Sequence, residues 1–325
     1  MIKALYVFFI FCVLCAWAFF IPPYFYEESA KRFEIQPGDS TRKIIKNLKK
    51  DDLVYSYFPY VLFLRWTRFQ AGEYLLSSKD NAYQIFRNFS LGKVITYDIT
   101  FPEGFNMFEM ADLLEKHQLI SKEEFLKWCR DSEFISSLLG EKLDSLEGYL
   151  YPNTYKMTKG MQAKKLIGLM VGEFLRNYQG IQSSFDSGLT RHQLVILASL
   201  VEKETGAAWE RPLIASVFYN RLKKGMKFQS DPTILYGMMM ELGFMPKNIR
   251  KQDIRKKTDY NTYTLKGFPK GPIANPGRHA LEAVLNPEET SYYYFVSKND
   301  GTHVFSKDIE SHERAVDRYQ RSKKK

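Results

Sequence analysis

An uncharged apolar run near the N-terminus limits how this chain can fold. Residues 4–21 are 18 consecutive apolar residues, ALYVFFIFCVLCAWAFFI. A helix that crosses the hydrocarbon core of a bilayer needs about 20 such residues. Pro22 and Pro23 follow directly, and proline ends a helix because it lacks the backbone donor of the hydrogen-bond ladder. The run therefore predicts a membrane-spanning helix with a sharp end.

A cleavable signal peptide is the competing interpretation of this run. Residues 16–18, Ala-Trp-Ala, imitate a small-x-small cleavage site. The apolar residues nevertheless continue to Ile21, and the positive region before them is only Lys3 and the amino terminus. These features favour an uncleaved anchor. Lys31 and Arg32 follow the run and weaken the positive-inside signal for its orientation.

The composition is globular, with an excess of positive charge. Hydrophobic residues make up 45% and charged residues 26% of the 325 positions, and the net charge is +10. Basic residues gather in residues 42–50, 247–257 and 321–325. Such a balance suits an anionic partner, whether nucleic acid, a lipid surface or an acidic polymer. No run carries a nucleic-acid-binding motif, so nucleic acid is not expected as a partner, and each run can also be a solvated face.

The cysteines and histidines do not predict a metal or a cofactor. Cys12 and Cys15 lie inside the apolar run, where small apolar residues are the simpler interpretation, and Cys129 stands alone. The five histidines are too scattered along the chain for a zinc site. We therefore expect no disulfide framework, no metal and no cofactor.

The pattern after the anchor predicts an α+β fold in two parts. Residues 33–41 read as a strand that breaks into a turn, and Ser40 or Thr41 can cap the next helix. This opening is similar to a LysM-type glycan-binding module, with residues 38–40 as the turn. A second strand-to-helix unit begins near Ile99, and Ser121 opens a helical region. We predict an anchor and linker over 1–29, a LysM-like α+β module over 30–120, and a larger α+β catalytic domain over 121–325.

The strongest chemical signal is a buried helix that ends in two carboxylates. Thr190 and Gln193 have capping-box spacing, and residues 194–201 are almost entirely apolar. Glu202 and Glu204 follow just before Gly206. Burial and the negative end of the helix dipole both disfavour an ionised carboxylate, so both raise its pKa. A raised pKa is what a general acid needs at neutral pH.

An alternative interpretation makes this helix end purely structural. Lys203 and Arg211 could pair with both carboxylates on a solvated surface. Residues 202 and 204 also point to well-separated faces of a helix, so at most one of them faces a cleft.

Two downstream stretches carry side chains that can bind sugars. Residues 228–233 read Phe-Gln-Ser-Asp-Pro-Thr, and residues 259–263 read Asp-Tyr-Asn-Thr-Tyr. Their amide, hydroxyl and phenol groups can hydrogen-bond sugar hydroxyls and acetamido groups. Each stretch by itself is also compatible with an ordinary loop.

Taken together, these motifs resemble the YceG-like (MltG) family of membrane-anchored endolytic murein transglycosylases. The elements that carry the resemblance are Leu146-Glu-Gly-Tyr-Leu-Tyr-Pro-Asn-Thr-Tyr, Ala198-Ser-Leu-Val-Glu-Lys-Glu-Thr, Glu210-Arg211, Asn220-Arg221-Leu222, Gln229-Ser-Asp-Pro-Thr, Tyr260-Asn-Thr-Tyr, Gly271-Pro-Ile-Ala-Asn-Pro-Gly and Gly301-Thr-His-Val-Phe. The set occurs in one order and is densest from residue 197 to residue 305.

The resemblance implies a lyase that acts on peptidoglycan and leaves 1,6-anhydro-N-acetylmuramic acid ends. One glutamic acid would protonate the glycosidic oxygen and then deprotonate the muramyl 6-hydroxyl. We assign this role to Glu204, because Thr205 resembles the serine of the Glu-Ser pair in other lytic transglycosylases, and we keep Glu202 as the alternative. The residues implied to line the sugar cleft are Gln229, Ser230, Asp231, Asn261 and Tyr263.

The resemblance also implies a location and partners. The catalytic domain would lie on the outer side of the cytoplasmic membrane, held there by residues 4–21, and would terminate the elongation of nascent glycan strands. An enzyme that terminates nascent strands would also be expected to meet peptidoglycan synthases as partners. The sequence departs from the common family pattern at Asp259 and Lys270, where prolines are frequent.

Two other functions stay open at this point. A non-catalytic peptidoglycan-binding scaffold would use the LysM-like module, but it would not need the perturbed carboxylate. A muramidase that hydrolyses with water would need a second carboxylate, for which Asp231 is the candidate.

The apolar run predicts that the protein keeps its N-terminal segment in the membrane. Mass spectrometry of the protein extracted from membranes should find residues 4–21 still attached. A mature form that starts near Phe19 would contradict the anchor and support the signal peptide.

Overall fold

A computed structural model describes residues 2–20 (backbone alone for 2–4), 22, 30–55, 60, 61, 64, 67–77 and 79–321. Ile21 of the predicted anchor, residues 23–29 of the linker that follows it, and tail residues 322–325 lie outside this part of the chain. The chain divides into two compact units. Unit 1 comprises Met1–Ile99, Gln118–Ile120 and Tyr155–Gln162, and unit 2 comprises Thr100–His117, Ser121–Thr154 and Ala163–Lys325.

Unit 1 combines short strands with helices. Its elements are α1 (Ile2–Phe20), β1 (Ala30–Ile35), α2 (Thr41–Lys50), β2 (Gly72–Ser77) and α3 (Ala82–Leu91), with most of β3 (Tyr97–Thr100) and β4 (Thr154–Met157). β1 and β2 are antiparallel, with Ala30 opposite Ser77 and Ile35 opposite Gly72. β3 pairs with β4. Among the residues that the structure describes, no helix has the length and apolar character that a membrane crossing requires.

The core of unit 1 is aromatic and aliphatic. Phe33, Phe86 and Phe89 are buried in it, together with the apolar face of α2. As predicted, Ser40 caps α2, because its hydroxyl accepts a hydrogen bond from the Lys43 amide at 3.2 Å.

Unit 2 is mainly helical. Its elements are α4 (Met107–Lys116), α5 (Lys122–Cys129), α6 (Ser132–Leu139), α7 (Ala163–Gln179), α8 (Arg191–Glu204), a 3₁₀ turn (Ala208–Glu210), α9 (Arg211–Lys223), α10 (Asp231–Leu242), α11 (Lys251–Arg255), α12 (Arg278–Leu285), β5 (Tyr294–Ser297), β6 (His303–Ser306), α13 (Ile309–Val316) and a π-helical turn (Asp317–Arg321). β5 and β6 form an antiparallel hairpin with Tyr294 opposite Ser306. The two units together confirm the predicted α+β class.

The centre of unit 2 is α8. The predicted capping box between Thr190 and Gln193 is present, and every residue from 194 to 201 is buried. Ser199 fixes the loop before α12 to α8, because its hydroxyl accepts a hydrogen bond from the Ile273 amide at 3.1 Å. Gly148, in the loop between α6 and β4, has a φ of +87°, and a Cβ there would lie 2.7 Å from the Val195 side chain, so that loop requires glycine to pack against α8.

A buried polar network joins two loops to the start of α4. The Asn275 side-chain oxygen accepts hydrogen bonds from the amides of Gly148 and Leu150, each at 2.9 Å. The Asn275 amide group donates to the carboxyl group of Glu147 at 2.9 Å. Glu147 also accepts the Met107 amide at 3.1 Å, and burial raises its pKa to about 8. A buried network of this kind stabilises only while every member is satisfied.

This network predicts a large loss of stability in Asn275→Ala. The substitution leaves two buried backbone amides without an acceptor, at roughly 1–3 kcal/mol each. Chemical unfolding should therefore show a free energy of unfolding lowered by about 2–5 kcal/mol. Asn286→Ala is the matched control, because Asn286 is exposed and donates a single bond to the Gln182 carbonyl. Equal losses in the two variants would contradict this account.

Candidate active site

Glu204 is the last residue of α8 and lies at the edge of the buried core. The chain leaves the helix directly after it, since Thr205 is extended with φ −144° and ψ 139°. The Glu204 side chain is half-buried, and the Ser230 hydroxyl donates a hydrogen bond to its Oε1. The helix that the sequence predicts to be buried thus brings one carboxyl group to the boundary between core and solvent.

The pKa of Glu204 is raised to about 7, and several neighbours contribute in opposite directions. Burial is the largest cause, because it disfavours the ionised form. The negative charge of Asp231 also raises the pKa, whereas the Ser230 hydrogen bond and the positive charge of Arg221 lower it. Glu204 therefore exchanges its proton near neutral pH, which is the property required of a general acid–base.

The backbone conformation around Ser230 places the Ser230 hydroxyl beside Glu204. Gln229, which is exposed, has a φ of +50°, a conformation that residues other than glycine rarely adopt. The Ser230 amide donates to the hydroxyl of the fully buried Thr262 at 3.0 Å, and the Thr233 hydroxyl donates to the Ser230 carbonyl at 2.6 Å. Strained backbone of this kind persists where surrounding contacts hold it, and such positions cluster at functional sites.

Asp231 and Tyr263 form a second polar pair close to Glu204. The Tyr263 hydroxyl donates to Asp231 Oδ1 at 2.6 Å, and Asp231 is exposed. The pKa of Tyr263 is raised, first by burial and then by this bond. The structure thus brings together Glu204, Ser230, Asp231 and Tyr263, with Gln229 beside them in the chain.

Asn261 lies behind this group instead of on its surface. The residue is 1% exposed, and its side-chain amide donates to the carbonyls of Asp253, Ile254 and Lys256 at 3.1, 3.1 and 2.7 Å. Its Oδ1 accepts the Tyr263 amide at 2.9 Å. Asn261 therefore ties the end of α11 to the segment that carries Tyr263.

Arg221 supports the site from inside the protein. It is 5% exposed, its Nε donates to the Tyr293 carbonyl at 2.7 Å, and its NH1 donates to the Phe228 carbonyl. The second bond fixes the turn that leads into Ser230. Arg221 lies in one of the motifs that carry the family resemblance, but no role for it follows from the sequence alone.

Glu202, the alternative acid, is held in an ion pair on a different face of α8. Its Oε1 lies 2.9 Å from Arg211 NH2, its Oε2 accepts the Gly277 amide at 3.0 Å, and its side chain is 5% exposed. Burial raises the pKa of Glu202, while the Gly277 bond and Arg211 lower it. Arg211 therefore pairs with Glu202, as the structural alternative allowed, but forms no ion pair with Glu204 among the described residues.

A buried cluster that the sequence did not reveal fixes the chain after Glu204. Thr205 donates to the carboxylate of Glu210 at 3.2 Å, and Glu210 is fully buried. The same carboxylate accepts the His303 amide at 2.7 Å and lies 2.7 Å from His303 Nδ1. Thr205 thus anchors the end of α8 to the β5–β6 hairpin. Among the described residues, no group of three or more His, Cys, Asp or Glu side chains could hold a metal ion.

The geometry defines a class of site: a single carboxylic acid that titrates near pH 7, with hydroxyl and carboxylate groups beside it. The chain belongs to the YceG-like family, because the model of that family matches residues 33–318.

Similar proteins include curated enzymes and a solved structure. A Bacillus subtilis protein named endolytic murein transglycosylase is 32% identical over 308 residues, which cover 89% of this chain and 84% of that protein. A Streptococcus pneumoniae protein of the same name is 30% identical over 85% of this chain, and the match spans 55% of its length. A crystal structure of a yceG-like protein from Listeria monocytogenes has a TM-score of 0.60 and 31% identity, covering 89% of this chain and all of that one.

The electrostatic arrangement predicts opposite pKa changes in two substitutions. Ser230→Ala removes a hydrogen bond that favours the carboxylate, so the pKa of Glu204 should rise. Asp231→Asn removes a negative charge that disfavours the Glu204 carboxylate, so the pKa of Glu204 should fall. Carboxyl ¹³C NMR titration of protein labelled at glutamate measures both, with the Glu204 signal assigned by its loss in Glu204→Gln. Shifts in the same direction would contradict the assigned causes.

Proposed function

We propose that this protein is an endolytic murein transglycosylase whose acid–base residue is Glu204. Family membership and the names of the relatives support the reaction class. The observation that carries the assignment is the half-buried Glu204 carboxyl group, with a pKa of about 7, beside Ser230 and Asp231.

The proposed reaction uses one carboxyl group twice. Ser230 donates to Oε1 of Glu204, which leaves Oε2 to carry the exchangeable proton. In its acid form Glu204 protonates the glycosidic oxygen between N-acetylmuramic acid and N-acetylglucosamine. The bond between the anomeric carbon and this oxygen breaks, and N-acetylglucosamine leaves with the proton as a free hydroxyl. The resulting carboxylate takes the proton of the muramyl 6-hydroxyl, whose oxygen attacks the anomeric carbon and forms the 1,6-anhydro ring. Proton transfers of this kind typically contribute about 10²–10⁴-fold to the rate.

The sugar contacts we propose come from the same site. Gln229, Asp231 and Tyr263 offer an amide, a carboxylate and a phenol that can bind sugar hydroxyl and acetamido groups. Ser230 acts on the substrate through Glu204. For Asn261 we propose an indirect contribution. Its side chain accepts a hydrogen bond from the backbone amide of Tyr263 and so holds Tyr263 in place.

We further propose that the whole run of residues 4–21 anchors the protein in the cytoplasmic membrane, with the catalytic domain on the outer side. The absence of a membrane-crossing helix concerns the described residues, and Ile21 at the end of the run lies outside them. The side chains of α1 support this proposal, since Leu5, Phe8 and Phe9 are 71%, 67% and 66% exposed, and large exposed apolar patches mark protein or membrane contacts. In this position the enzyme would terminate nascent strands next to peptidoglycan synthases. The paired strands β1 and β2 with α2 between them in the chain are compatible with a LysM-like glycan-binding module.

A hydrolytic muramidase is the second candidate, favoured by one observation. Asp231 is an exposed carboxylate near Glu204, and a second carboxylate is what a hydrolase needs to activate water. The two reactions leave different ends on the product. Anhydromuramyl ends identify the transglycosylase, and reducing ends identify the hydrolase.

The assignment predicts that Glu204→Gln abolishes cleavage. Amide and carboxylic acid have the same shape, but the amide cannot donate and recover the proton, so the rate should fall by about 10²–10⁴-fold or more. The measurement is mass spectrometry of purified peptidoglycan after treatment with the full chain. Wild-type kcat/KM should also decrease above about pH 7, because Glu204 loses its proton there.

Glu202→Gln is the matched control on the same helix end. It weakens the ion pair with Arg211 and should lower stability, while the folded fraction still cleaves. A folded Glu204→Gln protein with wild-type activity would overturn the assignment. Loss of activity confined to folded Glu202→Gln would transfer the role to Glu202.

A further inference from the structure

A second concave site lies along α10, beyond the residues assigned to catalysis. It has a volume of about 400 Å³ and is lined by Tyr236 of α10 and by Tyr260 on the segment after α11. Arg130, Asp144 and Lys270 line it as well. None of these residues has a role in the proposed reaction.

The floor of this pocket is held by buried contacts. The rings of Tyr236 and Tyr260 lie 4.8 Å apart, and the Tyr236 hydroxyl donates to the buried Glu147 at 2.8 Å. A Cβ at Gly237 would lie 2.9 Å from the Thr258 hydroxyl, so glycine lets the segment approach α10 closely. The pocket is therefore part of the folded framework of unit 2.

The rim of the pocket is charged, and part of that charge is not neutralised within the chain. Lys270 pairs with Asp144 at 3.1 Å. The described residues provide no ion-pair partner for Arg130 or Lys257, although both line the pocket. The Arg130 guanidinium lies over the Phe108 ring at 5.1 Å, which orients it. Asp259 lines the pocket as an exposed carboxylate, and Glu241, which also lines it, pairs with Lys256. This rim offers two cations for carboxylates and one carboxylate for an ammonium group.

The same segment connects the pocket to the catalytic residues. Thr258 and Tyr260 line the pocket. Thr262 and Tyr263, two and three residues after Tyr260, make hydrogen bonds to Ser230 and Asp231 respectively. Along α10, Tyr236 follows Asp231 by five positions, which corresponds to a rise of about 8 Å. A peptide of three residues spans about 10 Å when extended. The length of such a peptide is therefore comparable to the separation along the α10 axis between Asp231, beside Glu204, and Tyr236 in the pocket.

We infer that this pocket binds the short acidic peptide that branches from the muramyl units of murein. Arg130 and Lys257 would bind its carboxylates, and Asp259 would bind its free ammonium group. Neutral sugar hydroxyls do not require unpaired charges of either sign, so the rim favours the peptide over the glycan. The inference rests on the proposed function, because it assumes that the strand at Glu204 is murein.

The test compares two substrates: murein strands that carry their peptides, and the same strands after an amidase has removed them. The double variant Arg130→Ala, Lys257→Ala is assayed as the full chain. An exposed charge pair contributes about threefold to binding, so the loss of two pairs should lower kcat/KM on peptide-bearing strands about tenfold relative to peptide-free strands. Lys266→Ala, an exposed lysine on the same segment outside the pocket, should leave this ratio unchanged.

A direct binding measurement keeps the two proposals distinguishable. The peptides released by the amidase are titrated against the full chain by calorimetry, for the wild type, the double variant and Lys266→Ala. Binding that is lost only in the double variant supports the pocket even if the wild type cleaves neither kind of strand, an outcome that would contradict the proposed function. The inference is overturned if the wild type does not bind the peptides, or if the double variant leaves both the binding and the substrate ratio unchanged.

Discussion

The burial of α8 is the constraint on which the rest of unit 2 depends. Residues 194–201 are all removed from solvent, because the helices α9, α10 and α12 and the neighbouring loops pack around α8, and its last turn emerges at their edge. Glu204 therefore meets protein atoms on most sides and solvent on the rest. Loss of water around a carboxyl group raises its pKa, and in this way hydrophobic packing produces an acid that is protonated near neutral pH.

Two glutamates two residues apart on this helix have different chemistry because their partners differ. Glu202 faces Arg211 and the Gly277 amide, which favour its charge and leave its side chain almost inaccessible. Glu204 has a hydroxyl as its direct partner and a carboxylate nearby. An ion-paired, inaccessible carboxylate cannot exchange protons with a substrate. Glu204 is half-buried and has a neutral donor on only one of its oxygens, so it can exchange a proton with a substrate.

The segment of residues 258–263 links the reaction to the inferred recognition of the substrate. Its buried residues, Asn261 and Thr262, make the hydrogen bonds that fix its path along α10. Its partly exposed residues, Tyr260 and Tyr263, lie at the charged pocket and beside Asp231. Because two adjacent buried residues lie between the partly exposed ones, a single set of backbone contacts positions both surfaces.

The sequence by itself determined the local features of this protein. The caps at Ser40 and Thr190, the buried residues of α8 and the placement of a carboxylate at its end all follow from spacing and apolar pattern. Only the tertiary structure decided which glutamate is paired with Arg211, that Asn261 points into the protein, and that Arg221, Glu210 and His303 brace the site. Helix caps and amphipathic faces depend on neighbours three or four positions away. The partners of Glu204, Asn261 and Glu210 come from distant parts of the chain, and the packing of whole elements selects them.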